Sequence, residues 1–109
     1  MGDMIIYIAG KVSGIEMEAK LAFKIAEKEL NLQGHDVINP MELEHDHDKT
    51  WQSYMRECIS AMMKADALYL LPNWRESKGA RIEVQLAHNL GIKIFFNLKE
   101  IKQIKHGKS

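Results

Sequence analysis

This chain is predicted to fold as a three-layer α/β sandwich around a parallel sheet of about four strands, and three observations predict it. Short apolar runs rich in β-branched and aromatic residues (Met4–Ala9, His35–Ile38, Asp66–Leu71 and Ile92–Asn97) alternate with longer segments of helical periodicity. Polar or glycine-bearing turns separate them. At 109 residues, 46% hydrophobic and 28% charged, the chain has the size and composition of one domain, spanning 1–109, with a core of its own.

Met4–Ala9 is continuously apolar, as a strand covered on both faces requires, and is too short for a helix. Ser13 and Glu16 are spaced as an S-x-x-E capping box, opening a first helix that Gly34 closes. Ala19, Ala22, Phe23, Ala26 and Leu30 share its inner face. His35–Ile38 forms a second strand, stopped at Asn39-Pro40 because proline has no ladder donor and biases its predecessor toward extended geometry. Residues 41–49 read as a polar loop. Thr50 or Asp48 caps a second helix that runs to about Lys64 with Trp51, Met55, Cys58, Ile59 and Met62 inward. Asp66–Leu71 is the third strand, Pro72-Asn73-Trp74 a turn, and Ser77–Leu90 a third helix with Gly91 just past its end. Ile92–Asn97 is the fourth strand, and Leu98–Ser109 a last helix with a basic end.

Fifteen Lys plus Arg balance fifteen Asp plus Glu, so no net field gathers a polyanion, and nucleic acid is not expected as a partner. Cys58 is the only cysteine, which excludes a disulfide within the chain and suits a reducing cytoplasm. No apolar run approaches the roughly 20 residues that cross a bilayer, and no basic leader precedes the first strand. Met1-Gly2 is not followed by Ser or Thr at position 6, where Ile6 stands, so a myristoyl anchor is not expected. The expectation is a soluble cytoplasmic protein without a membrane partner.

Parallel sheets bind ligands beyond the carboxyl ends of their strands, here the segments 10–13, 39–49 and 72–78. At about 100° per residue, Glu83 falls inside the apolar arc of Ala80, Ile82, Val84, Leu86, Ala87 and Leu90, opposite Arg81, Gln85, His88 and Asn89. A carboxylate facing a core must be protonated, paired, or open to a cavity. Glu83 therefore either faces a ligand cleft or is tied to a structural partner such as an Arg or Tyr. Cys58 lies mid-arc on the second helix with no base beside it, as a buried small hydrophobe does, and its methionine neighbours read as core filler. Trp51, Tyr54 and Trp74 adjoin the ligand loops and either stack on a base or sugar or pack as a lid. Ser77 caps its helix, whose free N–H groups favour an anion. His45, Asp46, His47 and Asp48 read as solvated loop residues rather than metal ligands, so no metal is expected. Gly10 and Gly14 permit a tight turn without Walker or G-x-G-x-x-G spacing.

Tyr7-Ile8-Ala9-Gly10, Asn39-Pro40, Trp51-x-x-Tyr54-Met55, Ala65-Asp66, Tyr69-Leu70-Leu71-Pro72-x-Trp74 and Ser77-Lys78-Gly79-Ala80-Arg81-Ile82-Glu83 together resemble the nucleoside 2-deoxyribosyltransferase superfamily. The similarity is greatest to its short phage and bacterial members and runs from Tyr7 to about Leu90. It implies a flavodoxin-like (Rossmann-like) domain in which a Glu attacks C1′ of a nucleoside, expels the base and passes the sugar to a second base or to water. Carried over, Glu83 is the nucleophile and Tyr7 orients it. Gly10, Asn39, Trp51, Cys58, Trp74, Ser77 and Gly79 contact the substrate, with Ser77 and Gly79 in the segment that receives a 5′-phosphate in the hydrolytic branch. The substrate is a nucleoside or nucleoside monophosphate, no cofactor is called for, and a homo-oligomer is implied, with the Met-rich second helix, Trp51 and Tyr54 as its contact. One departure stands out: the family's proton-transferring Asp lies eight residues before the Asp that opens strand three, and here that position is Cys58. A thiol is a weak donor, and Glu57 projects elsewhere. Asp46, Asp48 or Glu76 then supplies the proton, or catalysis is slow, or the pocket only binds. The rival expectations are a non-catalytic nucleotide-binding or sensing module and a phage-related interaction protein on the same scaffold.

Overall fold

The computed structural model describes residues 3–43 and 50–101. Strands β1 (Ile5–Ala9), β2 (Asp36–Ile38), β3 (Ala67–Leu70) and β4 (Lys93–Phe95) form one open sheet in the order β2-β1-β3-β4, and every neighbouring pair is parallel. Helices α1 (Glu16–Leu32), α2 (Trp51–Met62) and α3 (Lys78–Leu90) cover it, giving the three-layer, flavodoxin-like sandwich. The strand order reverses between β1 and β3, which opens a crevice at their carboxyl ends.

Strand alternation sorts the core into two layers. Ile6 and Ile8 of β1, with Ala67 and Tyr69 of β3, pack under Phe23, Ala26 and Leu30 of α1 and Ile101 of the helical turn at 98–101. Tyr7, Ala9, Leu68 and Leu70 face the other way, against Cys58 and Met62 of α2 and Ala80 and Ala87 of α3. Because β1 and β3 are central, both of their faces are buried, which is why their sequences are apolar without alternation. Asp66 pins the entry to β3: its carboxylate accepts from Ile5 N–H at 2.8 Å while its own N–H donates to Ile5 C=O at 2.7 Å.

The helix ends follow local chemistry with one exception. Thr50 Oγ1 accepts from Ser53 N–H and Ser77 Oγ from Ala80 N–H, while Gly91 closes α3 in the left-handed region. The expected capping box does not form. Gly14 takes φ +84°, turning the chain after Ser13, so α1 starts at Glu16 behind Ile15 and the Glu16 carboxylate accepts from Gly14 N–H instead. Trp51 and Leu90, expected inward, are exposed at a helix end. Asp48 lies outside the described residues.

Of the methionines at the second helix, Met55 and Met62 are buried in the chain's own core and Met63, just past the end of α2, is exposed. Large exposed apolar side chains also gather on α1, at Met17, Leu21, Ile25 and Leu32. No helix among the described residues is long and apolar enough to cross a membrane.

Gly10 ends β1 against β3's exit. A Cβ there would stand 2.7 Å from Leu71 Cδ1 and 2.9 Å from its Cβ, which the backbone holds in place. Gly10→Ala is therefore expected to destabilise the fold by about 1–3 kcal/mol in urea denaturation, through overpacking. An unchanged midpoint would refute that close approach.

Candidate functional site

The loop 10–13 after β1 and the N-termini of α2 and α3 enclose a cavity of about 580 Å³ at the switch point. That volume lies in the range of small-molecule sites. Tyr7, Phe23, Met55, Cys58, Ala80 and Glu83 line its inner part, and Lys11, Trp51, Glu76 and Lys78 its more exposed part.

Glu83 is 5% exposed, in the second turn of α3, and Tyr7 Oη donates to its Oε2 at 2.7 Å. Of the alternatives open for this carboxyl, the structure combines two: a tyrosine partner and a cavity. Burial drives the Glu83 pKa up to about 7, and the Tyr7 hydrogen bond offsets only part of that rise. The group is thus divided between its acid and anionic forms at neutral pH. Burial also raises the Tyr7 phenol, and the adjoining Glu83 charge raises it further, so Tyr7 remains a donor at any physiological pH.

Cys58 stands beside two phenols, Tyr7 and Tyr54. Burial is the largest influence on its thiol, which is pushed up to about 11 despite the two phenols. Tyr7 thus adjoins both Cys58 and Glu83, and its single O–H donates to Glu83. Tyr54 is likewise raised by burial.

At the rim, the Lys78 ammonium lies 4.7 Å above the Trp51 ring. Lys11 Nζ reaches Glu76 at 3.6 Å, and Lys11 N–H donates to Asn73 Oδ1 at 3.1 Å, tying the loop after β1 to the one after β3. Gly79 has a packing reason, because a Cβ there would meet Met55 Sδ at 2.8 Å where α2 crosses α3.

Seven of the residues expected at a site come together on this cavity: Tyr7, Gly10, Trp51, Cys58, Ser77, Gly79 and Glu83. Two do not. Asn39 is buried away from it, its Oδ1 accepting from Met41 N–H and its Nδ2 donating to Glu27, so it shapes the turn after β2. Trp74 packs beside Phe96, ring centroids 6.3 Å apart, with the Arg75 guanidinium 4.7 Å over its face. His45, Asp46, His47 and Asp48 lie outside the described residues, among which no three His, Cys, Asp or Glu side chains are grouped to hold a metal. Sequence reasoning marked the segments 10–13 and 72–78 but did not single out Lys11, Asn73 and Lys78 within them, because position after a central strand does not say which side chain turns to the cavity or ties the loops.

The class defined here is an open parallel α/β domain with a cavity and a buried carboxyl at its switch point. The chain belongs to the family described as a domain of unknown function (DUF4406), which it matches over residues 4–96. No curated protein and no solved structure matches it.

Proposed function

We propose that this protein cleaves or transfers the N-glycosidic bond of a nucleoside or nucleoside monophosphate, with Glu83 as nucleophile. One observation carries the reading: the Glu83 carboxyl is almost wholly buried, is held by Tyr7 at 2.7 Å, and still lines a cavity of about 580 Å³. The resemblance of the Tyr7–Gly10 and Ser77–Glu83 segments to nucleoside 2-deoxyribosyltransferases supports it.

The ionised Glu83 attacks C1′, the C1′–N bond breaks with its electron pair passing to the base, and a glycosyl ester remains on Glu83. A second base or water then attacks C1′, and the carboxylate departs. Tyr7 orients the attacking oxygen and stabilises the charge that returns to it. Ser77, at the N-terminus of α3, and Lys11 and Lys78 at the rim suit a 5′-phosphate. A cytoplasmic location and self-association belong to the same reading.

Incubation with deoxynucleosides, ribonucleosides and their monophosphates is expected to release free base, with a rate that rises with pH through about 7 as Glu83 ionises. The neutral thiol in place of a carboxyl on α2 favours a second reading, a nucleotide-binding module without turnover. Ligand-induced thermal stabilisation with no base released from any member of the panel would decide for it.

A further inference from the structure

We propose that the preferred substrates of this site are N-glycosides whose base already carries a positive charge, foremost pyridinium ribosides of the nicotinamide mononucleotide type. This rests on the glycosidic reading above and names its substrate class.

The inner part of the cavity, among the described residues, has one carboxyl, and that is Glu83. Its hydrogen-bond partner is the Tyr7 phenol, and beside that stand a thiol and a second phenol, Cys58 and Tyr54. None gives up a proton readily at neutral pH, since burial raises all three and even the thiol is held at about 11. Glu76, the other carboxyl on the lining, sits with its side chain 69% exposed and ion-paired to Lys11. Among the described residues the site therefore offers a nucleophile without an acid for the leaving group.

A neutral purine or pyrimidine leaves as an anion unless it is protonated, and a positioned acid is worth on the order of 10²–10⁴ in rate. A pyridinium base needs none. When Glu83 attacks C1′, the electrons of the C1′–N bond neutralise the ring nitrogen and the base departs uncharged. Water then attacks the glycosyl ester, its oxygen joins C1′, its proton passes to solvent and the Glu83 carboxylate is restored. The ring charge also finds a receptive surface, because the Trp51 face already carries a cation, the Lys78 ammonium at 4.7 Å. A planar cation that takes that place leaves Lys78 for an anionic group of the substrate. The buried Glu83 anion favours the same sign of charge.

The test compares kcat/KM for nicotinamide mononucleotide, GMP and 7-methyl-GMP in the wild-type protein, following free base by chromatography. The last two share a base shape and differ by a fixed positive charge. Nicotinamide mononucleotide and 7-methyl-GMP are expected to be cleaved at least 100-fold faster than GMP. In Cys58→Asp, which places a carboxyl where the thiol stands, the ratio of 7-methyl-GMP to GMP cleavage is expected to narrow at least tenfold. Wild-type GMP cleavage within a few-fold of the two cationic substrates overturns the proposal and leaves the glycosidic reading standing. No base released from any of the three overturns the proposal, and if the wider panel of neutral nucleosides is also inert, the glycosidic reading falls with it.

Discussion

Base release is expected to fall by on the order of 10³-fold or more in kcat/KM when Glu83 is replaced with alanine. No other described carboxyl on the inner lining can form the glycosyl ester, and solvent water lacks both the position and the desolvated charge of Glu83. The same variant should keep its ligand-induced rise in Tm, since Trp51, Ser77 and the rim lysines remain. That pairing separates loss of chemistry from loss of the pocket. A rate within tenfold of wild type, in a variant that still melts cooperatively, would remove Glu83 from the mechanism.

Glu83→Gln is expected to stabilise the protein in a pH-dependent manner. The folded state holds the Glu83 proton up to about pH 7, whereas the unfolded chain releases it near 4.5. Between those values the native state binds the extra proton, so wild-type stability falls as pH rises, and the full loss of roughly 3 kcal/mol is reached above pH 7. Glutamine is isosteric, still accepts from Tyr7, and has no such slope. At pH 4 the two proteins should unfold at similar denaturant concentrations. At pH 8 the variant should be the more stable by about 3 kcal/mol, which for a domain of this size is on the order of 10 °C or more in Tm. Parallel pH profiles for wild type and variant would show that the Glu83 carboxyl is solvated as an ordinary one. A stability gain obtained by neutralising this group would also be the signature of a side chain kept ionisable for function.

Elements whose ends are set by neighbouring residues were legible in the chain. Thr50, Ser77 and Gly91 cap their helices because a hydroxyl or a left-handed glycine acts within three residues of itself. Ser13 failed because Gly14 redirects the backbone, and nothing in an S-x-x-E pattern reports φ. Periodicity found the buried face of α3, Glu83 included, since burial on a helix repeats with its turn. Asn39 and Trp74 were misplaced for the opposite reason: they lie beside the ligand loops along the chain, yet Asn39 bonds Glu27 of α1 and Trp74 packs by Phe96.

The sequence by itself determined a parallel α/β sandwich and an inward carboxyl at position 83, because both follow from short-range patterns of apolar residues. Only the tertiary structure decided what that carboxyl meets. Tyr7 and Glu83 are 76 residues apart, and their contact exists because β1 lies beside β3 with α3 laid across that face. The desolvation that raises Glu83, the thiol beside Tyr7 and the cation over Trp51 all arise from that convergence. Local spacing carries no information about distances across a sheet, which packing alone sets.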